Sequence, residues 1–376
     1  MKAYKLSDLC VIKYGKDHKR LNKGPIPVYG SGGVIRYVDR ALSDKPSVLI
    51  PRKGTLSNLF YIDKPFWTVD TLFWTEIDSS KVIPKYLYYL LSIRNLASLN
   101  VGTAVPSLTA EILNEVSLEL PDLDNQAAIV DILSLFDNKI IANNRINDYL
   151  TELLLALQKQ TEETEEFTES RADELFNIHI GKTPPRKEPE WFSFNRASNV
   201  IWMSIKDMGN GNVYLIDSSE YLTPEAVEKH NVKKCSPGSI LLSFKLTVGR
   251  VGIAASEMVT NEAIACFSSD DSRKLAYLYP LLKSYDYASL GSTSSIAVAV
   301  NSRMIKAMKI KMPSSTALDR YYAQAEPIYD LLLDNAKETA ALVGLRDTLL
   351  PRLMSGEIDV SEVEVPTQLN NHLFAD

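Results

Sequence analysis

Three cysteines, four histidines and no apolar run long enough to span a bilayer exclude several kinds of protein for this 376-residue sequence. Cys10, Cys235 and Cys266 are far apart and odd in number. They match neither a disulfide framework nor a zinc-binding spacing, and they suit a reducing compartment as packing residues. His18, His179, His230 and His372 stand near no other histidine or cysteine in the sequence, so no metal is expected. The start, MKAYKLSDLC, lacks the apolar stretch of a signal peptide, and a cytoplasmic protein is expected. Catalytic signatures are missing too. Gly181-Lys182-Thr183 ends like a phosphate-binding loop, but Phe176 stands where that loop needs its first glycine. There is no Asn-Pro-Pro-aromatic sequence and no nuclease-like carboxylate–lysine cluster, and Pro184-Pro185 sits in a basic turn. No intrinsic enzyme activity is expected.

What is present is an ordinary folded composition, 45% hydrophobic and 23% charged, in a chain long enough for two or three domains. The net charge of −6 is unevenly spread. Residues 1–120 carry +5, 121–170 carry −8, 171–313 carry +4 and 314–376 carry −7. This basic–acidic alternation follows an internal repeat. Lys53 and Lys245, Thr55 and Thr247, Thr68 and Thr260, and the acids Asp70 and Glu262 are each 192 positions apart. Pro121 and Pro313 keep that offset, as do Leu150/Leu342, Leu153/Leu345 and Leu157/Leu349. Gly15-Lys16 matches Gly181-Lys182 at an offset of 166, so the second copy carries about 26 extra residues before its matching strand. The chain is a diverged tandem duplication.

Each repeat opens with β-branched stretches such as Ser47–Ile50, Ser239–Phe244 and Val251–Ala255, punctuated by Gly, Pro and Asn. A helical stretch is expected within each, Pro84–Leu96 and Lys274–Tyr285. Each repeat then closes with a long helix. From Asp124 to Gln160 there is no Pro or Gly, and a heptad seam runs Ile129, Leu133, Phe136, Ile140, Asn143, Asn147, Leu150, Leu154, Leu157. The second seam is Tyr321, Ala325, Ile328, Leu332, Asn335, Thr339, Leu342, Arg346, Leu349. Polar Asn143 and Asn335 at equivalent seam positions are the kind of residue that fixes register at a cost in stability. Two matched heptad helices predict an antiparallel pair; the alternative is that each caps its own globule. The Glu-rich segment Thr161–Arg171 is expected to be a solvated connector. A helix of that length spans about 55 Å at ~1.5 Å per residue, enough to place two readers one to two turns of DNA apart.

Several short motifs carry a family resemblance. Leu49-Ile50-Pro51-Arg52-Lys53-Gly54-Thr55 and Leu241–Thr247 with Gly249 form matching strand–turn signatures, and Gly102-Thr103-Ala104-Val105-Pro106-Ser107-Leu108-Thr109 is a loop before the last helix and strand of the first globule. Val116–Pro121 and Met308–Pro313 end the globules, and Leu349–Ile358 ends the helical part. The second loop, Gly291–Ala297, lacks the proline and is shifted. In this order, over residues 4–360, they resemble the specificity subunits of type I restriction–modification systems. The resemblance implies an α+β fold with two mixed α/β target-recognition domains separated by two long antiparallel coiled-coil helices and a pseudo-two-fold internal repeat. The expected boundaries are 1–121, helix 122–165, 166–313, helix 314–356 and an acidic tail 357–376.

It also implies a non-catalytic subunit that binds double-stranded DNA with a bipartite site. Two methyltransferase subunits and motor–nuclease subunits would be its partners, and S-adenosylmethionine, ATP and Mg would belong to them. Candidate DNA-contacting residues are Arg52, Lys53 and Thr55 in the first copy and Lys245, Thr247 and Arg250 in the second, because cations neutralise phosphates and donate to guanine edges. The basic loops Lys16, His18, Lys19, Arg20 and Lys182, Arg186, Lys187 are further candidates. Asp70 and Glu262 are expected to pair with Lys53 and Lys245. Trp67, Trp74, Trp191 and Trp202 are expected in structural roles. The competing readings are a coiled-coil adaptor that does not recognise DNA sequence and an enzyme fragment.

Overall fold

A computed structural model describes residues 1–102, 105–290 and 300–360. Thr103 and Ala104 of the first loop, the 291–297 loop and the tail beyond 360 lie outside the described residues. The chain divides into two compact units, Met1–Asn138 with Gly344 onward, and Lys139–Val343. Each therefore contains one mixed α/β globule together with a part of both long helices.

In the first unit, Cys10–Tyr14, Leu72–Ile77, Ser47–Pro51 and Phe60–Ile62 form a four-stranded antiparallel sheet. Ser47–Pro51 is wholly buried, as its unbroken apolar run requires. A second sheet joins Gly33–Val38, Ile26–Gly30 and Trp67–Thr68, the last pair being parallel. Lys2–Lys5 pairs with Ser117–Leu120 and closes the globule end to end. The second unit has the same plan with larger sheets. Asn177–Ile180, Ile264–Ser268, Ile240–Ser243 and Val251–Ala254 repeat the core sheet and add Tyr214–Leu215. Val200–Met203 runs parallel to Met258–Thr260. The extra residues of this copy include the short strands Phe192–Ser193 and Tyr221–Leu222 and the helix Pro224–Lys229.

Backbone bonds repeat at the offsets read from the sequence. Arg52 N donates to Thr71 O and Phe244 N to Ala263 O, both at 2.9 Å. Lys16 N donates to Thr68 O and Lys182 N to Thr260 O, both at 2.8 Å. The parallel pairs correspond too, with one exchange: Val28 faces Trp67, whereas Trp202 faces Val259. Each of these two tryptophans donates its indole N–H to the matching lysine carbonyl, Trp67 to Lys16 and Trp202 to Lys182. Trp74 donates to Tyr14 O and Trp191 to Glu188, so all four indoles serve the fold.

The long helices are Leu123–Thr164 and Ser315–Met354. In the first unit Ile129 and Leu133 pack with Leu350, Leu353 and Met354 in the globule's core. In the second, Leu150, Leu154 and Leu157 pack with Tyr321, Ala325, Ile328 and Leu332. Asn143 Nδ2 donates to Thr339 Oγ1 and Glu338 Oε2, and Asn335 Nδ2 donates to Asn147 Oδ1. Four residues forward on one helix match four backward on the other, so the pair is antiparallel. Helices that cap only their own globules are ruled out within these units. Part of the expected connector is ordered structure: the helix continues to Thr164, and Phe167–Arg171 is a strand paired with Lys309–Pro313. Its exposed Thr168, Glu169 and Arg171 belong to a sheet edge whose partner comes from the far end of the globule. The embedded helices are Pro84–Ser92 and Ser272–Ser284.

Candidate nucleic-acid interface

Three loops meet in each globule, and in the first a fourth joins them. In the first, Gly15 N donates to Leu72 O and Lys16 N to Thr68 O, while Arg52 N and Lys53 N donate to Thr71 O. The strand–turn signature and the following loop lie against each other: Gly54 N donates to Pro106 O, Leu108 N to Arg52 O, and Lys53 bridges Ser107. Glycine at position 15 is a steric demand, since a Cβ would lie 2.0 Å from Val69 O. The copy repeats it: a Cβ on Gly181 would lie 2.1 Å from Thr260 Oγ1. In the second globule Gly181–Thr183 meets Thr260–Ala263, and Phe244 N ties the Lys245–Thr247 turn to Ala263 O.

Within these loops the candidate side chains separate into two groups. Arg186 forms a two-pronged pair with Glu220 at 2.6 and 2.9 Å and lies over Phe192 and Trp202. Arg250 donates to Ile205 O at 2.5 Å and lies against Gly209, where a Cβ would be 2.7 Å from its Nη1. Lys182 Nζ donates to His230 O at 2.7 Å. Arg52 lies over Tyr14 and donates to Asp70 O. These four are held by the fold. By contrast, among the described residues the side chains of Lys16, Lys19, Arg20, Lys53 and Lys187 are exposed and form no hydrogen bond or ion pair within the chain. Lys245 is exposed over the Phe244 ring. Thr55 and Thr247 are exposed, and among the described residues their hydroxyls have no partner.

The expected Lys53–Asp70 and Lys245–Glu262 pairs do not form. Asp70 meets Arg52 through its carbonyl, and Glu262 accepts a short bond from the Thr183 hydroxyl. The Lys53 backbone is pinned to Ser107 while its side chain stays in solvent, so Asp70 is met from the neighbouring residue instead.

One residue was missed. Leu246, at the tip of the second turn, is 99% exposed and has φ +59°. Left-handed backbone at a bulky side chain is costly and clusters at functional loops. An apolar tip between a lysine and a threonine suits a thymine methyl or a base edge. Its sequence signal was faint: one leucine where the matching position 54 is a positive-φ glycine. Sequence spacing also hid a buried grouping of His179, Cys235 and Cys266 in the second globule.

Two copies of one α/β globule, joined by antiparallel helices, define a duplicated scaffold with matching loop faces. The model of the type I restriction modification DNA specificity domain matches residues 1–152 and again 164–324. The chain is 23% identical over 375 residues to the MjaIX type I restriction enzyme specificity subunit of Methanocaldococcus jannaschii, covering 89% of this chain and 84% of that one. It is 23% identical over 369 residues to the HindI specificity subunit of Haemophilus influenzae, covering 75% and 79%. Among solved structures, the type I restriction-modification S subunit from M. genitalium shares the fold at a TM-score of 0.52 and 16% identity, over 94% of this chain and 95% of that one. The chain belongs to the type I restriction modification DNA specificity family. It is a specificity subunit and non-catalytic. No described helix is long and apolar enough to cross a membrane.

Proposed function

We propose that each globule reads one half of a bipartite duplex site and that the helix pair acts as the spacer between the half-sites. The observation that carries this reading is the duplication of the same loop junction, with free cations and hydroxyls in both copies. Lys16, Lys19, Arg20 and Lys53 in the first copy, and Lys187 and Lys245 in the second, contact phosphates or guanine edges. Thr55, Thr247 and Leu246 touch bases. Arg52, Lys182, Arg186 and Arg250 shape the loops that present them. Methyltransferase subunits dock on this scaffold and motor–nuclease subunits join them in the cytoplasm; S-adenosylmethionine, ATP and Mg are theirs. In this reading the two readers are residues 1–121 and 166–313.

Because the helical segments are acidic and each globule has only a small basic excess, the isolated chain binds duplex weakly. Adding the cognate methyltransferase is expected to give tight, sequence-preferring binding that weakens steeply with salt. Titrations of labelled duplex with and without the partner, at several salt concentrations, test this. Equal and sequence-blind binding in both cases favours the adaptor reading and overturns the proposal.

A further inference from the structure

The two copies serve as internal controls for each other, and they differ sharply at one buried place. In the first globule Trp74 pairs across the sheet with Lys13, and Phe66 bridges Ser43. The Trp74 and Phe66 rings meet edge-on at 6.1 Å and fill the space between the two sheets. At the repeat offsets, the second globule has Cys266 for Trp74, His179 for Lys13, Cys235 for Ser43 and Met258 for Phe66. The backbone is the same: His179 pairs with Cys266, and Cys235 with Met258. Only the filling has changed, from two aromatic rings to two thiols and an imidazole.

One donor atom from each of His179, Cys235 and Cys266 lies within 4.8 Å of the others, and both cysteines are fully buried. Cys235 Sγ is 3.6 Å from His179 Nε2. A tetrahedral zinc ion with bonds of about 2.3 Å to sulfur and about 2.05 Å to nitrogen holds such a pair about 3.6 Å apart. A candidate fourth donor lies next to them. Ser239 is 1% exposed, and its hydroxyl, beside the Cys266 thiol, has no other hydrogen-bond partner among the described residues. In the first copy the equivalent Ser47 hydroxyl is satisfied, donating to the Thr75 carbonyl and accepting from the Thr75 amide.

We propose that the second globule binds one structural zinc ion through His179, Cys235 and Cys266, with Ser239 as the fourth donor. Two thiolates and a neutral imidazole give a divalent cation a neutral, soft-donor site, which suits burial. Binding releases the two thiol protons to solvent. The ion ties Asn177–Ile180 and Ile264–Ser268 of one sheet to Lys234–Cys235 of the other. It thereby does the inter-sheet work of the first copy's indole.

The test uses the full chain, purified under reductant, loaded with zinc, dialysed and measured by elemental mass spectrometry. A parallel sample is loaded with cobalt and examined by absorption. One zinc per chain and a thiolate-to-cobalt charge-transfer band are expected. Both are lost in Cys235→Ser and Cys266→Ser but kept in Cys10→Ser, whose thiol is in the other globule. Zinc below a tenth of an equivalent in the unaltered chain, with no cobalt band, overturns the proposal without recourse to any variant. Equal metal content in Cys235→Ser and the unaltered chain, or a Cys235–Cys266 disulfide in the non-reduced chain, overturns it too.

Discussion

Arg186 and Lys187 are neighbours in one basic loop, yet their side chains do opposite things. Arg186 is committed to Glu220, Phe192 and Trp202; Lys187 is free in solvent. Arg186→Ala is therefore expected to destabilise the chain by about 1 kcal/mol, through a lost cation–π stack and a two-pronged ion pair. Lys53→Ala in the first copy is expected to leave the unfolding midpoint alone. It is expected to lower duplex affinity evenly across sequences and to reduce the salt slope by roughly one, as loss of the proposed phosphate contact requires. Chemical denaturation and salt-dependent titration of the methyltransferase-bound complex distinguish the two. An Arg186→Ala chain of unchanged stability, or a Lys53→Ala chain with unchanged affinity, contradicts the division. Sequence alone could not make that division. A lysine or arginine in a loop looks the same whether its partner is water or a carboxylate 34 residues away.

At the scale of elements, the helices were the most legible part of the fold. A heptad seam and a matched copy sufficed to indicate two long antiparallel helices, because apolar periodicity is local information. The polar layer was legible as well: Asn143 is fully buried, and its contact with Thr339 is, by the repeat, the same contact as Asn335 with Asn147. The Asn143 amide, and then the Lys139 ammonium, hold the Glu338 carboxyl below its usual range. Asn143→Ala removes both bonds and is expected to cost about 1–2 kcal/mol in urea unfolding. The Glu338 pKa should move back up toward that of an ordinary glutamate. A depressed carboxylate contributes stability above its unfolded pKa and loses it as pH falls through the folded one. The variant should therefore lose less stability on acidification than the unaltered chain; an identical pH profile contradicts the bond. The strand Phe167–Arg171 was not legible, because its polar run Thr168–Arg171 reads as linker until Lys309–Pro313 is placed beside it.

For the whole molecule, the duplication carried the furthest. The offsets read from side chains reappear in backbone bonds: 192 in Arg52–Thr71 and Phe244–Ala263, and 166 at the donor with 192 at the acceptor in Leu6 N–Val116 O and Ala172 N–Met308 O. What it left out were the departures from symmetry. The exchanged tryptophans, the exposed Leu246 and the thiol–imidazole cluster all arise where one copy solves a packing problem differently from the other. Those solutions depend on residues brought together only by folding. His179 and Cys235 are 56 positions apart, beyond the reach of any ligand-spacing rule.

The proposed pair of readers makes one demand on the molecule: each globule must carry its own half of the specificity. The direct measurement is to replace residues 166–313 with the matching globule of a relative of different specificity. The hybrid is expressed with the cognate methyltransferase, and the methylated motif is mapped across a genome. The expected result is a motif in which one half-site is new while the other half-site and the spacing are retained. A motif changed in both halves, or a methylated genome with neither half changed, would contradict the account.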